Sequence, residues 1–135
     1  MKELTIEAVL PNVSVLTDFI DGELEAIGCP LKTQRQIDVA IDEVFSNISQ
    51  YAYPSGTGSA TVRFEYDEQA RQVVISFFDR GTPYNPLQNA DPDVTLPASE
   101  RAIGGLGIFL VKKTMDDVAY RYQDGMNVFS LFKKV

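Results

Sequence analysis

Three clusters of residues have types and spacings suited to chemistry. The first lies in Ala-Ile-Asp-Glu-Val-Phe-Ser-Asn, residues 40–47. Glu43 and Asn47 stand four apart, so on a helix they share one face about one turn apart. Both fall beside the apolar stripe of that helix, where a carboxylate and an amide oxygen can border a cleft at the edge of a sheet. An Asn oxygen is a neutral ligand for Mg²⁺, and a Glu can orient or deprotonate an attacking hydroxyl. The same spacing also suits a solvated Glu and Asn on an amphipathic helix.

The second cluster is Phe-Phe-Asp-Arg-Gly-Thr-Pro-Tyr-Asn-Pro, residues 77–86. Asp79 sits where an apolar run ends, and Gly81 permits a tight turn just after it. A carboxylate at a strand end can accept a hydrogen bond from an exocyclic amine such as that of adenine. A plain polar turn after a strand is the other reading. The third cluster is Ile-Gly-Gly-Leu-Gly-Ile-Phe-Leu-Val, residues 103–111. Glycines before a helix let the backbone approach a ligand closely, and the helix N-terminus offers N–H groups to a phosphate. The competing reading is a loop that caps a helix. The segment lacks the Lys-Ser/Thr ending of a Walker P-loop, and no strand leads into it as in a dinucleotide fingerprint.

The elements that must position these residues follow from periodicity. Residues 3–10 alternate apolar and polar, as a half-buried strand does. Pro11 and Asn12 open a helix with Val13, Leu16, Ile20, Leu24 and Ile27 on one side, and Gly28 is its expected C-cap. A second helix is expected from Thr33, where Thr33 and Gln36 fit a capping box, to about Tyr51. Its apolar stripe is Ile37, Ile41, Val44, Phe45 and Ile48. Strands are expected over 61–66 and 72–78, then a long proline-bearing loop over 79–103 of the kind that is usually functional. A third helix over 105–115 and a hairpin turning at Asp124-Gly125 complete the order. The pattern predicts a single α+β domain over residues 1–135, a two-layer sandwich with one mixed sheet and its helices on one face.

Bulk composition removes several classes of function. The 135 residues are 44% hydrophobic and carry a net charge of −7. That balance is wrong for a nucleic-acid footprint or an anionic membrane surface. No apolar run is long enough to span a bilayer, the N-terminus lacks a signal peptide's apolar centre, and the single cysteine, Cys29, permits no internal disulfide. A cytoplasmic location is expected. With no histidine, the chain has no Ser-His-Asp or Cys-His catalysis and no histidine-bound metal.

The three clusters, taken together and in this order, resemble the Bergerat-fold ATPases, the superfamily of gyrase, heat-shock chaperone, histidine kinase and mismatch-repair ATPases. Within it the chain is most similar to the short bacterial anti-sigma-factor serine kinases. The resemblance covers nearly the whole sequence and implies ATP and Mg²⁺ as cofactors. It implies that Glu43 is the general base, Asn47 the Mg²⁺ ligand and Asp79 the partner of the adenine amino group, with Gly81 shaping the base pocket. It implies that Gly104, Gly105, Leu106 and Gly107 cradle the phosphates and that residues 84–103 form a lid. Arg101, by position and charge, is placed to reach the γ-phosphate. The implied activity is transfer of the γ-phosphoryl to a serine of an anti-sigma-factor antagonist. The implied partners are that antagonist, a sigma factor, and a second copy of the chain. The alternative is a non-catalytic module that sequesters a sigma factor or another regulator. Two departures bear on the base pocket. Tyr51 stands where many relatives carry His, and the final hairpin offers Asn127 and Ser130 where larger relatives often place Thr.

Overall fold

The computed structural model describes residues 1–88 and 106–135. Strand β1 (Lys2–Glu7) leads through a 3-10 turn (Leu10–Asn12) into α1 (Val13–Ala26), and α2 (Leu31–Tyr51) follows. Strands β2 (Ser59–Asp67) and β3 (Gln72–Asp79) come next, then a second 3-10 turn (Pro86–Gln88). Helix α3 (Leu106–Thr114) and the hairpin of β4 (Asp117–Gln123) and β5 (Met126–Lys134) complete the order.

The strands form one sheet in the order β1-β2-β3-β5-β4. Among the described residues all four pairings are antiparallel. The α+β two-layer expectation is met, but the sheet is not mixed. β2–β3 and β4–β5 are tight hairpins, and β1 and β5 each join their neighbours head to tail, so no parallel pair is needed. Alternation divides the sheet into two faces. Val62, Val73, Ile75, Phe77, Phe129 and Leu131 pack with the helices in one core. Val74, Phe78, Val128 and Phe132 lie on the opposite face, outside that core.

The helix stripes read from periodicity are the buried ones. Leu16, Ile20 and Leu24 of α1, with Ile37, Ile41, Val44, Phe45 and Ile48 of α2, are all buried. Each such side chain removed from water is worth roughly 1.5–3 kcal/mol, so this stripe fixes which side of α2 is left to border the cleft. Gly28 ends α1 with φ +74°. Its N–H donates to Glu25 O at 3.1 Å, and that of Cys29 donates to Leu24 O at 3.0 Å, the paired closure of a Schellman motif.

The start of α2 differs from expectation. The helix begins at Leu31, and the Gln34 N–H donates to Pro30 O at 2.9 Å. Proline's fixed φ sets the helix entry two residues early, so Thr33 lies inside the first turn and the Thr33–Gln36 capping box does not form. At the final turn, Asp124 (φ 56°) and Gly125 (φ 76°) adopt the two positive φ values that a two-residue hairpin of this twist needs.

Candidate functional site

Helix α2 and the end of β3 meet at a cleft lined by Asn47, Tyr51, Asp79, Thr82, Tyr84 and Asn127, among others. Its enclosed part is about 40 Å³, and its open mouth brings the free space to about 440 Å³. Asn47 and Asp79, 32 residues apart in sequence, therefore face one cavity. Ile108 of α3 lines it too.

Asp79 closes β3 on the helix-covered face and is buried at 6% exposure. The Gly81 N–H donates to its Oδ1 at 2.9 Å, and Asn127 Nδ2 donates to the same oxygen at 2.9 Å. Burial pushes the carboxyl above its ordinary range, and these two bonds offset only part of that rise. Gly81 is needed for close approach. A Cβ there would collide with the Ala52 carbonyl just past α2, and the Thr82 N–H donates to that carbonyl at 2.8 Å. The turn after β3 is thereby tied to the end of α2. Tyr53 adds a second tie, since its hydroxyl donates to Ser59 O at 2.6 Å and accepts from the Arg80 N–H at 3.1 Å.

Glu43 is half-buried on α2, one turn before Asn47. Burial first, and the neighbouring Asp42 second, push its carboxyl above the usual carboxylate range. The first turn of α3 runs directly beside it: a Cβ on Gly107 would meet Glu43 Oε2. A glycine here lets backbone and carboxylate share the space. Leu106 opens α3. Arg101, Gly104 and Gly105 lie outside the described residues, as does most of the expected lid.

The chemistry of this donor set can be stated. Among the described residues no group of three or more Asp, Glu, Cys or His side chains could enclose a metal. Asn47, the neutral amide on α2, lines the cleft. Such a site fits Mg²⁺, which keeps much of its water shell and shares the rest between one or two protein oxygens and phosphates.

Tyr120 was not singled out in the sequence, and how Tyr51, Tyr84 and Asn127 are arranged in the cleft is set by the fold. Tyr51 and Tyr84 stand with ring centroids 6.0 Å apart at the mouth. Tyr120 reaches in from β4, and its hydroxyl bonds Asn127 Oδ1. Asn127 sits directly opposite Asp79 in the β3–β5 register, whereas Ser130 faces away and shares a hydrogen bond of 2.9 Å with Ser76. Only the register separates these two roles, and a pairing between distant strands leaves no local trace in sequence.

The pattern of the histidine kinase-like ATPase domain family matches residues 6–133. The serine-protein kinase RsbW of Bacillus mycoides (strain KBAB4) is 25% identical over 130 residues, spanning 93% of this chain and 80% of its own length. Its namesake in Bacillus cereus (strain ATCC 10987 / NRS 248) is 26% identical over the same length and shares. A solved structure of the RsbU and RsbW domains of Rv1364c from Mycobacterium tuberculosis resembles the fold with a TM-score of 0.67 at 16% identity. That likeness covers 99% of this chain but 32% of the longer solved chain, and it bears on fold alone. With the family pattern running through all but the chain's extreme ends, the chain belongs to the histidine kinase-like ATPase domain family.

Proposed function

We propose that this chain binds ATP with Mg²⁺ in the α2–β3 cleft and transfers the γ-phosphoryl to a serine of a partner protein, an antagonist of the anti-sigma-factor system. The observation that carries the reading is that Asn47 and Asp79 line one cavity while Glu43 stands beside the first turn of α3. The relatives named serine-protein kinases support the activity.

Phosphoryl transfer needs positioning and charge neutralisation more than covalent help. In this reading Asp79 accepts the adenine amine, which orients the nucleotide along α2. Asn47 holds the metal. The bound Mg²⁺ would neutralise charge on the phosphates. Glu43 takes the proton of the serine hydroxyl, and its burial, with Asp42 beside it, makes the carboxylate a stronger base than a solvated one. The backbone at Leu106 and Gly107 offers N–H groups to the phosphates, and Gly104, Gly105 and Arg101 carry the same expectation from sequence. The partners in this reading are the antagonist, a sigma factor and a second copy of the chain, all in the cytoplasm.

The test is incubation of the protein with γ-labelled ATP and candidate antagonist proteins of the same cell. Label should reach one serine, and Glu43→Ala should retain ATP binding while losing about 10²–10⁴-fold in transfer. Transfer at the normal rate by Glu43→Ala would remove the base. ATP binding with no transfer to any candidate would favour the alternative, a module that sequesters its partner without catalysis.

A further inference from the structure

We propose that Asn127 sets the preference of this site for adenine nucleotides by holding the Asp79 carboxylate in one orientation as a hydrogen-bond acceptor. The proposal rests on the reading of the cleft as a nucleotide site. Asn127 is 6% exposed and stands directly across from Asp79 on β5. Its Nδ2 donates to Asp79 Oδ1 at 2.9 Å and to Thr82 O at 3.0 Å, with Gly81 O further off at 3.5 Å. Its Oδ1 accepts from the Tyr84 N–H at 3.1 Å and from the Tyr120 hydroxyl. A carboxamide has two donors and two acceptor positions, so this one is fully used.

The backbone partners decide which way the amide points. The Tyr84 N–H can only donate and the Thr82 carbonyl can only accept. Turning the amide over would set donor against donor and acceptor against acceptor, at a cost of roughly 1–3 kcal/mol for each buried group left unpaired. Asn127 therefore always presents a donor to Asp79. Oδ1 of Asp79 is occupied by that donor and by the Gly81 N–H. Among the described residues none donates to its Oδ2, and in this proposal that oxygen receives the base amine.

An ionised carboxylate accepts and cannot donate. Adenine carries an amine at its C6 position, whereas guanine carries a carbonyl oxygen there. A carboxylate bonds the first and repels the second. A protonated carboxyl could donate to the guanine oxygen and would lose that discrimination. Burial favours the protonated form of Asp79, and the Asn127 bond opposes it. The other titratable groups that feel Asp79 are the Tyr53 and Tyr120 hydroxyls, both pushed up by burial and so uncharged near neutrality, and Arg80 adjoins it in the chain. None of these replaces the donor that Asn127 supplies.

The experiment is calorimetric binding of Mg·ATP and Mg·GTP between pH 6 and pH 9. It compares the full chain with Asn127→Asp, which keeps the side-chain shape, and Asn127→Ser, which vacates the contact. The unaltered protein should prefer ATP at every pH. Each variant should lose about tenfold or more of ATP-over-GTP preference, the scale of one buried hydrogen bond to a charged group. For Asn127→Asp the ratio should also change with pH, because two facing carboxyls share a proton. Equal losses for both nucleotides, or an unchanged ratio and pH profile, would show a merely structural residue and overturn the proposal. If Asn127→Asp does not fold, Asn127→Ser alone must show the lost preference. An unaltered protein that binds neither nucleotide overturns the nucleotide reading itself. Binding of ATP with an unaffected Asn127→Ser overturns only the present inference.

Discussion

Asn47 and Glu43 stand one helical turn apart on α2. Asn47 opens onto the cleft, while Glu43 lies against Gly107. If Asn47 is the metal ligand, Asn47→Ala should lower affinity for Mg·ATP by about tenfold or more, the scale of one lost charge-assisted contact, and should change metal-free ATP binding little. Calorimetry with and without Mg²⁺ separates the two, and an unchanged Mg·ATP affinity would remove the assignment. The spacing of Glu43 and Asn47, and the place of Asp79 at a strand end, were legible because both depend on local periodicity. Asn127 was not. Its role comes from lying opposite Asp79 in a pairing between strands about fifty residues apart. The glycines were legible as permissive positions, but what each admits was not: the Ala52 carbonyl at Gly81 and the Glu43 carboxylate at Gly107.

At the scale of elements, α1 and α2 carry the core-facing stripes that sequence periodicity predicts, and they also carry a feature it does not predict. Asp21 of α1 and Asp38 of α2 face each other, with both Oδ1 atoms buried and, among the described residues, reached by no other hydrogen-bond partner. Burial, then a hydrogen bond and repulsion from Asp21, push Asp38 up to about 7. The pair is satisfied when it holds one proton. The unfolded chain releases that proton near the ordinary aspartate value of 3.8, and the folded chain releases it near 7. Between those values the folded state binds more protons, so stability falls as pH rises and the full penalty is present above about pH 7. Thermal melts should therefore show Asp38→Asn raising the melting temperature at pH 8 while changing it much less at pH 5. A variant no more stable than the unaltered chain at pH 8 would contradict a shared-proton pair. The boundaries of α2 show the limit of reading caps. A Thr–Gln pair with the right spacing was outcompeted by Pro30, which fixes the backbone without any side-chain bond.

For the molecule as a whole, the order of elements and the one-sided placement of helices followed from sequence because each element carries its own period. Strand directions did not, and every pairing is antiparallel. The sheet face away from the helices bears Val74, Phe78, Val128 and Phe132, with the Arg63 guanidinium 4.7 Å from the Phe78 ring centroid. Val128 is buried and Val74, Phe78 and Phe132 are half-buried, so this face is apolar but only partly open, and we propose it as the contact for the second copy implied by the family resemblance. Joint Phe78→Glu and Phe132→Glu substitution should convert a dimer to a monomer in light scattering at matched concentration, with Mg·ATP affinity retained. A monomeric unaltered protein, or a dimer indifferent to both changes, would place the contact elsewhere or remove it. The central claim remains that one cleft holds one nucleotide between α2 and the end of β3. A crystal structure with Mg²⁺ and a non-hydrolysable ATP analogue tests it most directly. The account predicts the base amine on Asp79, the metal on the Asn47 side-chain oxygen and the phosphates at the start of α3. A nucleotide seated in any other cavity, or a metal held without Asn47, would contradict it.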